Sequence, residues 1–224
     1  MTDGLLENRA AALALLALAL ASSCSGPTKP TFVELLQPCT SEQGPSDGYC
    51  GRLEVAENSN DPNVRKISLN TVVLPAFTGD PQPDPVFFLA GGPGQGAASM
   101  ARQIDGLFQE IRRQRDVVLV DQRGTGNSNL FQCRFREDQQ DFKDQPPLTQ
   151  ADAKKCLEAF DGDAQFYTTT IAMDDLDLVR EWLGYERINP LGGSYGTRAA
   201  LVYLGGATRI ACEALYWTAW RPAT

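Results

Sequence analysis

Residues 192–196 read Gly-Gly-Ser-Tyr-Gly, a G-x-S-x-G between a short apolar run (Arg187–Leu191) and a segment patterned as a helix. Set between strand and helix, this pattern suits a nucleophilic serine. Gly192 and Gly196 leave room for a sharp turn that holds Ser194 in strained backbone geometry with its Oγ exposed, and the helix start offers the Tyr195 N–H to a developing oxyanion. The bland alternative is a tight strand–helix turn with an idle serine. A second loop, Gly91-Gly92-Pro93-Gly94, follows the apolar run Val86–Ala90. Its glycines let a carbonyl approach the main chain, so an amide there, at Gly92, can supply the other oxyanion donor. A phosphate cradle is not supported, because neither G-x-x-x-x-G-K-[ST] nor G-x-G-x-x-G fits GGPGQGAAS. A third glycine turn, Asp121-Gln122-Arg123-Gly124-Thr125-Gly126-Asn127-Ser128, ends the run Asp116–Asp121. It reads as bracing for the same face, with Asp121 and Arg123 close enough to pair.

What the chain lacks is as informative. Its 224 residues include no histidine. A serine hydroxyl needs a positioned base to take its proton, and the last lysine is Lys155, so these residues do not complete a serine mechanism. With no CxxC and no His/Cys cluster, no zinc site is expected. Lys and Arg total 20 against 28 Asp and Glu, a net charge of −8 and a pI near 4.6. That balance excludes the basic footprint of a nucleic-acid binder.

The elements that must position these loops follow from hydrophobic periodicity. Arg52–Ala56 and Val64–Ala76 read as strands. Val86–Ala90, Asp116–Asp121 and Arg187–Leu191 read as short buried strands, as in a parallel sheet. Ser99–Arg115 and Met173–Leu183 carry apolar residues at helical spacing, and Phe131–Phe160 reads as a polar, irregular excursion. Strands alternating with helices predict an α/β fold with a mostly parallel sheet.

The N-terminus reads as an address. Ala10–Ala21 is an apolar run of 12 residues behind Arg9, too short to span a bilayer and of the length of a signal-peptide core. Small residues then lead to Cys24, as in a lipobox in which Cys24 is lipidated; plain secretion is the alternative. The expected division is a signal at 1–23, a linker at 24–30, the folded domain at 31–204 and an aberrant tail at 205–224. Five cysteines remain, and Cys39–Cys50 and Cys133–Cys156 are candidate disulfides for an oxidising compartment, against a reading as buried free thiols. Cys212 is left over.

GGPG, DQRGTGNS and GGSYGT, in this order and spacing, resemble the proline-iminopeptidase and tripeptidyl-aminopeptidase branch of the α/β-hydrolases. CGRLEVAEN and DDLDLVREWLG resemble its exported members, and the likeness runs from Cys39 to Leu204. The resemblance implies an α/β-hydrolase fold and a cofactor-free serine peptidase that releases N-terminal residues or short peptides from a peptide substrate. Carried over by motif, Ser194 is the nucleophile and Gly92 and Tyr195 supply oxyanion amides. Ala90 departs from the branch, in which many members have His before the glycines; that position lies outside the triad. A catalytically inactive remnant or binding protein is the second reading; within the enzyme class, an esterase of the same fold is the runner-up to a peptidase. The location implied is the bacterial periplasm, the outer membrane through a lipid on Cys24, or the extracellular space.

In this fold the acid and the His follow the serine. Only 30 residues follow Ser194, and residues 205–224 show no clean strand. Ala207–Arg221 can be encoded so that the codons, regrouped one position over, read His-Pro-Asp-Arg-Val-Arg-Ser-Val-Val-Leu-Asp-Gly-Val-Ala. The expectation is a frame change near Gly205 in a hydrolase roughly twice this long.

Overall fold

Two strands covered on both faces organise the fold. β4 (Val86–Leu89) and β5 (Val117–Val120) are buried at every residue, which is why they read as unbroken apolar runs. Alternate side chains enter opposite layers. Phe87, Leu89, Val118 and Val120 join one apolar cluster, and Val86, Phe88, Val117 and Leu119 join another. The computed structural model describes residues 31–40, 42–61, 65–131 and 149–206, and the backbone of 216–218.

Around these two lie β1 (Gln37–Pro38), β2 (Tyr49–Ala56), β3 (Lys66–Leu74), β6 (Asn189–Gly193) and β7 (Tyr216–Thr218), in the order β1-β2-β3-β5-β4-β6-β7. Strands β5, β4, β6 and β7 are mutually parallel. The pairings β1–β2, β2–β3 and β3–β5 are antiparallel. The helices are α1 (Phe32–Leu35), α2 (Ala101–Leu107), α3 (Gln109–Arg112), α4 (Gln150–Ala159), α5 (Thr169–Trp182) and α6 (Tyr195–Gly205). Ala101 and Ile104 of α2 pack in the cluster on one face of the sheet. Met173, Leu176 and Val179 of α5 and Ala199 and Tyr203 of α6 pack on the other. The chain is an α/β sandwich whose sheet runs from β4 to β5 on one side and then to β6 on the other. Such a switch of direction opens a crevice at the carboxyl ends of the strands.

Several elements differ from those expected. The helix predicted over Ser99–Arg115 begins as a 3-10 turn at Ala98–Met100 and breaks at Phe108, whose ring packs edge-on against Phe88 at 5.8 Å. The excursion Phe131–Phe160 contains a regular helix: α4 starts at a capping box in which Thr149 and Asp152 bond each other's backbone amides. Helix α5 starts before Met173, where the Thr168 hydroxyl accepts from the Ile171 amide. The tail, expected to hold no clean strand, adds β7 to the sheet, with Leu191 opposite Tyr216 and Gly193 opposite Thr218. Main-chain pairing requires no apolar alternation, and Tyr, Trp and Thr suit a strand.

The N-terminal strands are tied down twice. Cys39 and Cys50 form a disulfide. Behind them Arg112, whose side chain is 1% exposed, pairs with Asp47 at 2.6 Å and with Asp105, donates to the Pro75 carbonyl at 3.0 Å and lies over the Phe77 ring. Cys156 is also disulfide-bonded. Its suggested partner Cys133, together with Cys24, Cys212 and the signal and linker at 1–30, lies outside the described residues. No described helix is long and apolar enough to cross a membrane.

Candidate active site

Three loops meet at the carboxyl ends of β4, β5 and β6. The last carries Ser194, which sits at φ 51°, ψ −118°, one of two described residues other than glycine with positive φ. An L-residue is strained there by roughly 1–3 kcal/mol, and such strain clusters at functional turns. The flanking glycines explain how the turn closes. A Cβ on Gly192 would strike the Gly196 carbonyl, and one on Gly196 would strike the Leu89 carbonyl and come within 3.0 Å of the Ala90 oxygen. The start of α6 thus packs backbone to backbone on the end of β4. The Ser194 carbonyl closes the first turn, accepting from the Thr197 amide at 3.0 Å and hydroxyl at 2.7 Å. Its side chain is exposed, and its hydroxyl makes no hydrogen bond among the described residues. The Tyr195 and Gly196 amides open the helix, where no preceding turn supplies a carbonyl.

The loop after β4 passes against this serine. A Cβ built on Gly91 would lie 3.1 Å from Ser194 Cβ and 3.7 Å from its Oγ. Gly92 and Gly94 take φ of 105° and 109°, open to glycine and strained for other residues, so the loop turns sharply beside the hydroxyl. Gly91 and Tyr195 thus adjoin Ser194 from adjacent strand ends, and Gly92, the other expected oxyanion donor, follows Gly91 in the chain.

Asp121, 1% exposed, fixes that loop. Its carboxylate accepts from the Ala98 amide at 2.8 Å, the Asn127 amide at 2.9 Å and the Asn70 side chain at 2.9 Å. One buried charge thereby joins the segment after GGPG, the turn after β5 and strand β3. The expected Asp121–Arg123 pair does not form: Asp121 is engaged by these three donors on the loop side. Arg123 turns instead to Asp175 on α5 in a bidentate pair of 2.6 and 2.7 Å. Its other N–H groups donate to the carbonyls of Glu57 (2.7 Å), Phe166 (3.1 Å) and Ala56 (3.4 Å). All five donors of the guanidinium are used. Burial pushes the Asp175 carboxyl above its ordinary value, against the pull of Arg123.

Beside this pair Tyr167 donates to Glu57 at 2.8 Å and accepts from Asn129 at 2.6 Å. Burial, with the Glu57 carboxylate next, pushes the phenol up to about 12. The Tyr195 and Thr169 hydroxyls share a hydrogen bond of 2.6 Å that ties the start of α6 to the start of α5. Between these groups is a cavity of about 380 Å³. Sequence reasoning identified the loops but not the wall from Ala164 to Ala172, nor the Arg123–Asp175 pair. One signal was present. Asp175 lies three residues from Ala172 and four from Val179, on an apolar helical stripe, and a carboxylate there requires a buried cation.

A strained serine at the end of a parallel strand, with the loop of a neighbouring strand alongside, stands at the top of α/β-hydrolase sheets, and this chain has a fold of that class. No protein-family model matches it. A proline iminopeptidase of Neisseria gonorrhoeae is 31% identical over 127 residues, 56% of this chain and 29% of that protein. The serine protease Hip1 of Mycobacterium tuberculosis is 26% identical over 189 residues, 74% of this chain and 35% of that protein. The chain thus spans about a third of the length of these curated relatives. Among solved structures, a proline iminopeptidase of Mycobacterium smegmatis aligns with a TM-score of 0.44 at 24% identity, over 68% of this chain and 38% of that one.

Proposed function

We propose that the chain is the serine-bearing part of a hydrolase that cleaves peptides near their N-termini. The observation that carries this is exposed Ser194, held at φ 51° between β6 and α6 with Gly91 alongside it. The similarity to a proline iminopeptidase and a serine protease supports a peptide substrate over the ester of an esterase. Ser194 Oγ attacks the substrate carbonyl while a base takes its proton. The oxyanion is met by the Gly92 and Tyr195 amides, the amine leaves with that proton, and water then releases the acyl group from Ser194. No cofactor is needed. The base and the acid that orients it belong to sequence outside these 224 residues, a reading supported by the absence of histidine and by the span of a third of the relatives' length. Without them, binding and oxyanion contacts leave about 10³–10⁴-fold over the uncatalysed rate.

The absence of histidine also favours a second reading, a remnant or binding protein that keeps the sheet and the serine turn. Export is part of the proposal, with Cys24 as a lipid attachment point, supported by the apolar run Ala10–Ala21 and by the Cys39–Cys50 disulfide. A fluorophosphonate probe separates the two readings in cells whose gene has been sequenced past codon 224 in all frames. The 224-residue chain should label no faster than its Ser194→Ala variant. The frame-restored longer chain should label fast, at Ser194, and outside the cytoplasm. A longer chain that ignores the probe leaves the remnant, and labelled protein confined to the cytoplasm removes export.

A further inference from the structure

The cavity of about 380 Å³ beside Ser194 lies at the lower end of the ~300–1,000 Å³ typical of small-molecule sites. All three glycine loops wall it, through Pro93 and Gly94 before the serine, Gln122 to Thr125 after β5, and Tyr195 next to the serine. Pro93 and Gly94 directly follow Gly92, and Tyr195 directly follows Ser194, so the recess adjoins the chain on both sides of the serine.

Its chemistry is set by what its polar groups already do. The one charged residue among its described walls is Arg123, and that guanidinium has no free N–H, since Asp175 and three carbonyls take all five. A ligand carboxylate would find no donor there. No described wall residue is acidic, so a ligand ammonium would find no counter-charge. Most wall hydroxyls are committed as well; Thr168 accepts from the Ile171 amide at 3.4 Å, and Gln122 adds an uncharged side-chain amide. Tyr167 bonds Glu57 and Asn129, Tyr195 bonds Thr169, and Thr125 donates to the Gln122 carbonyl at 2.8 Å. With their polar tips engaged, the Tyr167 and Tyr195 rings join Phe131, Ala164, Ala172 and Pro93 as apolar surface.

We propose that this recess receives the side chain of the substrate residue whose carbonyl Ser194 attacks, and that it selects uncharged aromatic or branched aliphatic side chains against acidic and basic ones. This rests on the reading of Ser194 as the nucleophile and adds the class of residue to it. The selectivity arises because a charged group placed here loses its hydration and gains no counter-charge from the described walls, whereas an apolar one loses only contact with water.

The test reads binding, not turnover, on the 224-residue chain. Leucinamide, phenylalaninamide, glutamic acid α-amide and lysinamide share one backbone and differ in the side chain. They are titrated into ¹⁵N-labelled protein while the amide signals of Gly124, Tyr167 and Tyr195 are followed. The leucine and phenylalanine amides should move these signals with at least tenfold tighter affinity than the other two. Ala164→Trp, on the short turn Ala164–Phe166, fills the recess and should abolish the shifts; Ala172→Leu, from α5, should weaken them at least threefold. Equal affinity for all four amides, tighter binding of a charged one, or shifts indifferent to both substitutions overturns the proposal. Binding selectivity with no labelling in the longer chain defeats the catalytic reading alone; labelling without selectivity defeats the pocket alone.

Discussion

The turns that follow β5 and β6 sit side by side and solve opposite problems. After β6, Ser194 is exposed, lies at positive φ and has a hydroxyl without a partner among the described residues. After β5, Asp121 and Arg123 are buried, and each is surrounded by hydrogen-bonding groups, three on the carboxylate and five on the guanidinium. One turn keeps a polar group available by holding the backbone in a poor conformation. The other holds backbone in place by spending its buried polar groups on the segments around them. A reactive group must be unsatisfied, and the frame around it must not be.

Arg123→Met breaks the saturated turn and should have the largest effect. It leaves the Asp175 carboxylate buried without its cation, a loss of about 3–5 kcal/mol in urea unfolding. Arg123→Met with Asp175→Leu should recover most of that, since removing both charges removes the uncompensated one. If the double variant is as unstable as the single, pairing is not what holds this turn. Ser194→Gly sharpens the other side. Glycine relieves a strain of roughly 1–3 kcal/mol and loses about 0.5–1 kcal/mol of its greater unfolded freedom, so the melting midpoint should rise by the equivalent of about 1 kcal/mol. A lower midpoint would mean the turn is unstrained. The smallest effect concerns pH at the rim of the saturated side. Tyr167 ionises near 10 when unfolded and at about 12 when folded. Its contribution is fully present below pH 10 and is lost as pH rises from 10 to 12, where only the unfolded chain ionises there. Tyr167→Phe should flatten the stability profile in that window, and an unchanged slope would show that the phenol does not report on folding.

The sequence made the strained turn readable and the saturated one only partly so. Gly192 and Gly196 are required by collisions within seven residues of the serine or with the adjacent strand end, so a local motif carries the geometry. The runs at Val86–Leu89 and Val117–Val120 were equally plain, because burial on both faces leaves no polar position. The partner of Arg123 was not, since Asp175 lies 52 residues away and Asp121 stands two residues off with the right charge. Helix α4 was hidden by a weak apolar face, although Thr149-x-x-Asp152 marks its start. The cavity wall at Ala164–Thr169 has no period to read, and its role follows only from α5 bringing it against the loops.

The contacts of Arg123 also bear on the order in which the molecule is expected to assemble. Its partners lie 43 to 67 residues away, on the end of β2, the turn at Phe166 and α5. No partly closed chain can satisfy that guanidinium, because the loops that bring these segments together must all have formed. The expectation is that these bonds form late in folding and break early in unfolding. In stopped-flow experiments Arg123→Met should hasten unfolding and leave refolding nearly untouched, making this residue a latch on the lifetime of the native state.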